Sequence, residues 1–271
     1  MPDISETLNP THNTLIDAIN VRTAVRQFTT DKIPEELERQ LRSTLDAVNL
    51  LSGLSIQLVT NYPDPFAKPE AEGHFSNARN FFAVVGPKDD EEAAERAGFY
   101  LERIILTATL RGLSTVWVAG SWNKEAAAKR LRIRNSEELL VGALVGYSAD
   151  HAESKTLSER IAETEKHRPS LGFDDVVTLT NDGEVPQWFR NGIAAVLKAP
   201  SAMNSQEIHF DFDPVTKQTI ARIDSSRACN NPVMPRIDLG IAKLHFRLGA
   251  GGGTWTWGDG GRYSREEVAQ P

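Results

Sequence analysis

The sequence predicts an α+β fold: a mixed central sheet flanked by helices, built as two unequal, pseudo-symmetric halves of one chain. Three observations predict it. Helical and strand-like segments alternate from residue 14 to residue 257. The apolar runs FFAVVG and ELLVGALVGY have the length and turn-bounded ends of buried strands. Two stretches also echo each other, PEELERQLRSTLDAVNLLSGLSIQLVT and PQWFRNGIAAVLKAPSAMNSQEIHFDF. Each runs from a Pro-started helix through an irregular turn to a strand with Gln at its entry. GFYLERIILTATLRGLSTVWV and RIDLGIAKLHFRLGAGGGTWTW form a second, weaker echo. The expected boundaries are 14–150 for the first half, 151–184 for a polar crossing segment, and 185–271 for the second half. Together they are expected to form one compact unit.

Composition sets the class. Of 271 residues, 40% are hydrophobic and 25% charged, enough apolar surface for a full core. The formal charge of −7 repels phosphate backbones overall, so no nucleic-acid partner is expected. The single cysteine, Cys229, cannot form an intrachain disulfide, which favours a reducing compartment. No apolar run approaches the roughly 20 residues of a membrane span. The opening MPDISETLNPTHN lacks the basic and apolar regions of a signal peptide, so a cytoplasmic location is expected.

The elements follow in order. Leu15, Ala18, Ile19 and Val25 predict a helix over 14–27. Pro34 opens a second helix, EELERQLRSTLDAV, and SIQLVT is a short strand. NYPDPFAKPEAEGH is a loop, and FFAVVG a central strand. A helix over AAERAGFYLERIILTATLRGL stops at Gly112. STVWVAG is strand and turn, NKEAAAKRLRI a helix, ELLVGALVGY a strand. Pro186 starts the helix of the second half, followed by the strands EIHFDF and TIARID. The helix PRIDLGIAKLHFRLGA and the strand TWTW close the pattern.

Three constellations could hold a ligand. Arg22 and Arg26, four apart on the first predicted helix, would share a face with Cβ atoms about 5–6 Å apart, suited to a phosphate or carboxylate. A plain solvated helix face is the competing reading. In APSAMNSQ, Pro200 ends a helix and Ser201, Asn204 and Gln206 offer donors and acceptors to a planar polar ligand such as a flavin edge. The competing reading is helix termination with Ser and Asn satisfying loose backbone groups. In WVAGSW, a turn at Gly120 follows a buried strand and leaves backbone groups for a ligand.

Other patterns fail. LGAGGGTW follows a helix and has the wrong glycine spacing for a dinucleotide site, and there is no Walker lysine or HExxH. His209, Asp211 and Asp213 alternate along one strand, a row that is more often a strand edge than a metal site. No metal is expected. Trp255 and Trp257 read as packing residues, and Cys229 has no base beside it.

In order, RTAVRQF, the Pro-started helix, GLSTVWVAGSWNKEAAAKRLRI and LLVGALVGYS resemble the flavin-dependent nitroreductase family. APSAMNSQ is similar to its APSxxNxQPW, and RIDLGIAKLHFRLGA to its aspartate-leucine-glycine helix. The likeness covers most of residues 14–257, and the arginine motif and the PSxxN turn each occur in one half only. The chain therefore resembles the single-chain, internally duplicated branch, in which one composite FMN site would survive.

The resemblance implies that Arg22, Thr23 and Arg26 border the FMN phosphate, with Arg168 and Lys166 adding late basic contacts. It implies that Val118, Ala119 and Gly120 present backbone groups near flavin N5. Pro200, Ser201, Ala202, Asn204 and Gln206 would line the ring and ribityl chain. Thr23, Ala24 and Glu207 depart from the arginine, serine and proline of the motifs. The implied activity is an FMN-dependent oxidoreductase taking hydride from NADH or NADPH and reducing a nitroaromatic, quinone or similar small-molecule acceptor. No side chain need act as a nucleophile, because the flavin supplies the chemistry. The alternatives are a non-catalytic flavin or nucleotide binder and a scaffold without cofactor. A monomer is expected, since one chain holds both halves.

Overall fold

The computed structural model describes residues 12–67, 73–149 and 171–265. It is α+β, and its strands form two sheets, one in each of two compact units, in place of one central sheet. Among the described residues, the first unit holds those up to Ala93 and from Arg103 to 149. The second holds Ala94–Glu102 and 171–265. No helix among the described residues is long and apolar enough to cross a membrane.

In the first unit, helix α1 (His12–Val21) is followed by α2 (Glu35–Ser52), β1 (Ser55–Val59) and β2 (Phe81–Pro87). Helix α3 (Ala93–Leu110) precedes β3 (Ser114–Val118), the short α4 (Lys124–Ala128) and β4 (Glu137–Gly146). Pro34 sits at the start of α2, and Gly53 closes that helix at φ 68° with its N–H on Asn49 O. The Asn123 side chain caps α4 by accepting from Ala126 N–H. The sheet is antiparallel throughout, in the order β1-β2-β4-β3, so FFAVVG is an internal strand. That position explains its unbroken apolar run, because both faces of β2 are covered. Phe66, Phe81 and Trp122 anchor a core cluster of this unit.

The second unit adds α5 (Phe173–Val176), β5 (Val177–Leu179), α6 (Gln187–Val196), β6 (Ile208–Phe212) and β7 (Thr219–Ile223). Helix α7 (Met234–Gly249), β8 (Thr254–Trp255) and β9 (Gly261–Ser264) complete it. Its order is β5-β6-β7-β9-β8, with β5 parallel to β6 and the other pairs antiparallel. Leaving β5 aside, both sheets run first-second-fourth-third with a helix between second and third strands. Phe189, Phe210, Phe212 and Phe246 are fully buried and stacked, Phe189 on Phe212 at 4.0 Å and Phe210 on Phe246 at 5.3 Å. Such aromatic pairs add about 0.5–1.5 kcal/mol each beyond their area.

Two expectations are corrected and one strand is added. The first helix ends at Val21, not Gln27. Arg22 N–H makes its closing bond to Ala18 O. Val25 N–H then donates to Thr115 O and Phe28 N–H to Ser76 O. The β-branched Thr23 and Val25 favour this strand-like path over another helical turn. Residues 173–179, expected in the crossing segment, form α5 and β5. The final strand β9 had no counterpart in the sequence reading, being only four residues long.

Candidate functional site

Each unit carries part of the expected site. In the first, Arg22, Thr23 and Arg26 lie on the extended segment after α1. Arg22 and Arg26 therefore do not share a helix face. A spacing of four still returns both to one side of an extended chain. Arg26 and Thr23 are exposed, Arg22 half-buried. Among the described residues no carboxylate pairs with Arg26, so its guanidinium is free to meet an anion.

Val118 ends β3 opposite Gly142, and Ala119 and Gly120 follow in the turn. Ala119 O accepts from Trp122 Nε1 at 3.1 Å, which fixes the turn against the buried indole. A Cβ built on Gly120 would meet nothing within 4 Å, so this backbone faces open space.

In the second unit, the chain leaving α6 passes Pro200 and forms a single 3-10 turn over Ala202–Asn204. Met203, Asn204 and Gln206 all have positive φ, at 55°, 56° and 49°. Three left-handed non-glycine residues within four positions cost of order 1 kcal/mol or more each, so surrounding bonds must hold them. Gln206 N–H donates to Ser201 Oγ at 3.0 Å, and Asn204 N–H to Ser201 O at 3.1 Å. Ala202 N–H donates to Asp238 Oδ2 at 2.8 Å, and Ser205 Oγ donates toward Ala202 O and Glu207 Oε2. The Asn204 side chain is exposed and makes no hydrogen bond among the described residues. Lys166 and Arg168 lie outside the described residues.

The remaining candidates are committed elsewhere. His209 Nε2 bonds Thr178 Oγ1 at 2.8 Å, and burial and the Arg222 charge push its imidazole pKa down. Asp211 pairs with Arg222 at 2.9 Å, and Asp213 accepts from Val215 N–H at 2.8 Å. Trp255 packs in the core of the second unit and Trp257 edges onto Phe99. Burial pushes the Cys229 thiol up, and the charges of Glu207 and Asp238 push it further.

A cavity of about 600 Å³ forms a groove in the first unit edged by Arg42, Asn49, Gln57, Arg130 and Arg132. It includes none of the expected site residues, and two of its amides are spent on the scaffold. Gln57 clamps the backbone of Arg132 with two bonds of 2.9 Å, and Asn49 clamps Ile56. The pocket at Pro200, Ser201, Gln206 and Asp238 holds only about 20 Å³, the room of one water.

A family model described as "Putative TM nitroreductase" matches residues 14–250. The chain belongs to this nitroreductase family. The match spans both units and both halves of the expected site. A putative nitroreductase from Thermotoga maritima has the same fold at TM-score 0.56 and 18% identity, over 93% of each chain. A nitroreductase family protein from Clostridium difficile 630 is matched at TM-score 0.45 and 16% identity, over 62% of this chain and 98% of that one. A nitroreductase with bound FMN from Desulfitobacterium hafniense is matched at TM-score 0.41 and 15% identity, over 53% and 94%. Comparison with curated proteins gives no match.

Sequence reasoning missed two buried acids of this nitroreductase-family chain. Glu207 is fully buried and Asp238 is 5% exposed, and both attach to the turn. The sequence contained Glu207 as a motif departure and Asp238 as part of a helix signature. Nothing in their spacing of 31 residues signals that they meet one turn.

Proposed function

We propose that this nitroreductase-family chain is an FMN-dependent NAD(P)H oxidoreductase acting on nitroaromatics, quinones or similar electron-poor acceptors. The family match over 14–250 is the observation that carries the reading. The residues fit the cofactor locally. Arg26 is an uncommitted cation suited to a phosphate dianion, and Gly120 offers backbone in open space. Asn204 is an uncommitted amide on a turn held in an uncommon conformation. FMN, when bound, supplies the redox chemistry, taking up hydride and passing electrons on.

The chain's own part is binding and orientation. Arg22, Thr23 and Arg26 would hold the phosphate, with Lys166 and Arg168 as further cations. The backbone of Val118, Ala119 and Gly120 would face the ring. Pro200, Ser201, Ala202, Asn204 and Gln206 would line the ring and ribityl chain. The strand order common to both sheets supports reading the units as unequal copies within one chain, which we take to be monomeric and cytoplasmic. The departures at Thr23, Ala24 and Glu207 favour, as a second reading, a flavin binder without turnover.

Titrating FMN against the protein by flavin fluorescence tests the phosphate assignment. Charged hydrogen bonds are worth about 1.5–3 kcal/mol each, so Arg22→Ala with Arg26→Ala should weaken binding roughly 100-fold or more. Unchanged affinity in the double variant refutes the assignment, and no binding by the parent protein favours the scaffold.

A further inference from the structure

We infer that Glu207 and Asp238 share one proton, and that this carboxyl pair positions the 201–206 turn. The pair lies in the second unit, and the inference concerns the turn itself, whatever ligand it meets. Asp238 projects from α7 and takes the N–H of Ala202, the first residue of the 3-10 turn. Glu207 follows the turn directly, and its Oε2 takes the Ser205 hydroxyl. Glu207 Oε1 is buried and no N–H or O–H among the described residues reaches it. A proton on Asp238 supplies the missing donor.

Among the described residues no cation is seen to neutralise the pair. Among the described residues neither acid has an ion-pair partner from α6, α7, β6, β7 or the 224–233 loop. Arg222 is paired with Asp211, and Arg227 with Asp224. Arg236, on α7 itself, is exposed. The Cys229 thiol lies near enough to feel both carboxyls and adds no positive charge. Two carboxylates without a cation in a buried site cannot both ionise cheaply, so one keeps its proton at neutral pH.

The direction for Asp238 agrees. Burial raises its pKa most, the Ala202 N–H opposes, and the charge and hydrogen bond of Glu207 add to the rise, to about 8. A carboxyl raised in the folded state stabilises it while protonated. That contribution is complete below the unfolded value of about 4 and is lost as pH rises towards 8. Loss of the proton sets two anions against each other at both anchor points of a turn with three left-handed residues. The turn must then rearrange.

Amide and carboxyl resonances of the ligand-free 271-residue chain, followed by NMR from about pH 5 to 9.5, test this. The Ala202 and Ser205 amides should titrate together with the Asp238 carboxyl, near pH 8. In Glu207→Gln the Asp238 midpoint should fall by more than one pH unit. In Asp238→Asn, which keeps an acceptor for Ala202 and gains a donor for Glu207, the amide titration should vanish. Amides that show no midpoint above pH 6 in the parent protein, or a midpoint unmoved in Glu207→Gln, would overturn the inference. FMN binding enters neither readout, so failure here is separable from failure of the flavin reading.

Discussion

Gly98→Ala is expected to lose most of the stability of the second unit, although alanine is the better helix former. In an isolated helix the exchange would gain about 1 kcal/mol. Here a Cβ on Gly98 would stand 1.9 Å from Ile237 O, and one on Gly240 would stand 1.9 Å from Glu95 O. Residues 94–102 of α3 and helix α7 thus cross backbone on backbone at two reciprocal glycines. No side chain can rotate away to relieve the contact, so a helix must move. Overpacking costs about 1–3 kcal/mol where side chains can give, and a backbone clash should exceed that range. Gly98→Ala and Gly240→Ala should each melt about 10 °C or more below the parent protein, or fail to accumulate as soluble protein. A melting temperature within 2 °C of the parent would contradict this crossing, where about 2 °C is the shift of a single kcal/mol or less.

Lys243→Met should be the most damaging change of a single charge. Lys243 is fully buried on α7, and its Nζ meets Glu95 Oε1 and the carbonyls of Thr256 and Gly258 at 3.0 and 2.9 Å. Glu95 Oε2 accepts from Gly258 N–H at 2.6 Å. One ion pair therefore ties α3 to α7 and both to the loop after β8. Its net worth against a well-packed apolar pair is small, since both charges gave up their hydration. Removing one partner is different: Glu95 stays buried without the Lys243 charge, at about 3–5 kcal/mol. Thermal or denaturant unfolding should show that loss for Lys243→Met. Lys243→Met combined with Glu95→Gln should recover a large part of it. Additive losses in the double variant would mean that the pair does not interact as described.

Much of the fold was legible because local rules and tertiary structure agree. Pro34 and Pro186 start helices where proline is tolerated, Gly112 stops one at positive φ, and the apolar run at Phe81 is an internal strand. The first helix was overextended because Val25 fits helical spacing while its backbone pairs with Thr115, a partner 90 residues away. The same long-range pairing moved Arg22 and Arg26 from a helix face to an extended segment. Strand β5 was hidden because three residues beside a polar stretch give no period to read. The APSAMNSQ turn was found from its proline and polar residues. What holds it was not, because Asp238 acts from another helix. The acids Glu95 and Glu102 were not singled out in the sequence, yet each is buried against a partner on α7, Lys243 and His245.

The central claim is that a nitroreductase-family chain with these residues binds and uses a flavin. A visible absorbance spectrum of the purified protein, taken before and after adding FMN and then NADH or NADPH without oxygen, tests it most directly. The account predicts a protein-bound flavin band that bleaches with at least one of the two nucleotides. No bound flavin even with excess FMN, or a bound band that neither nucleotide bleaches, would contradict it.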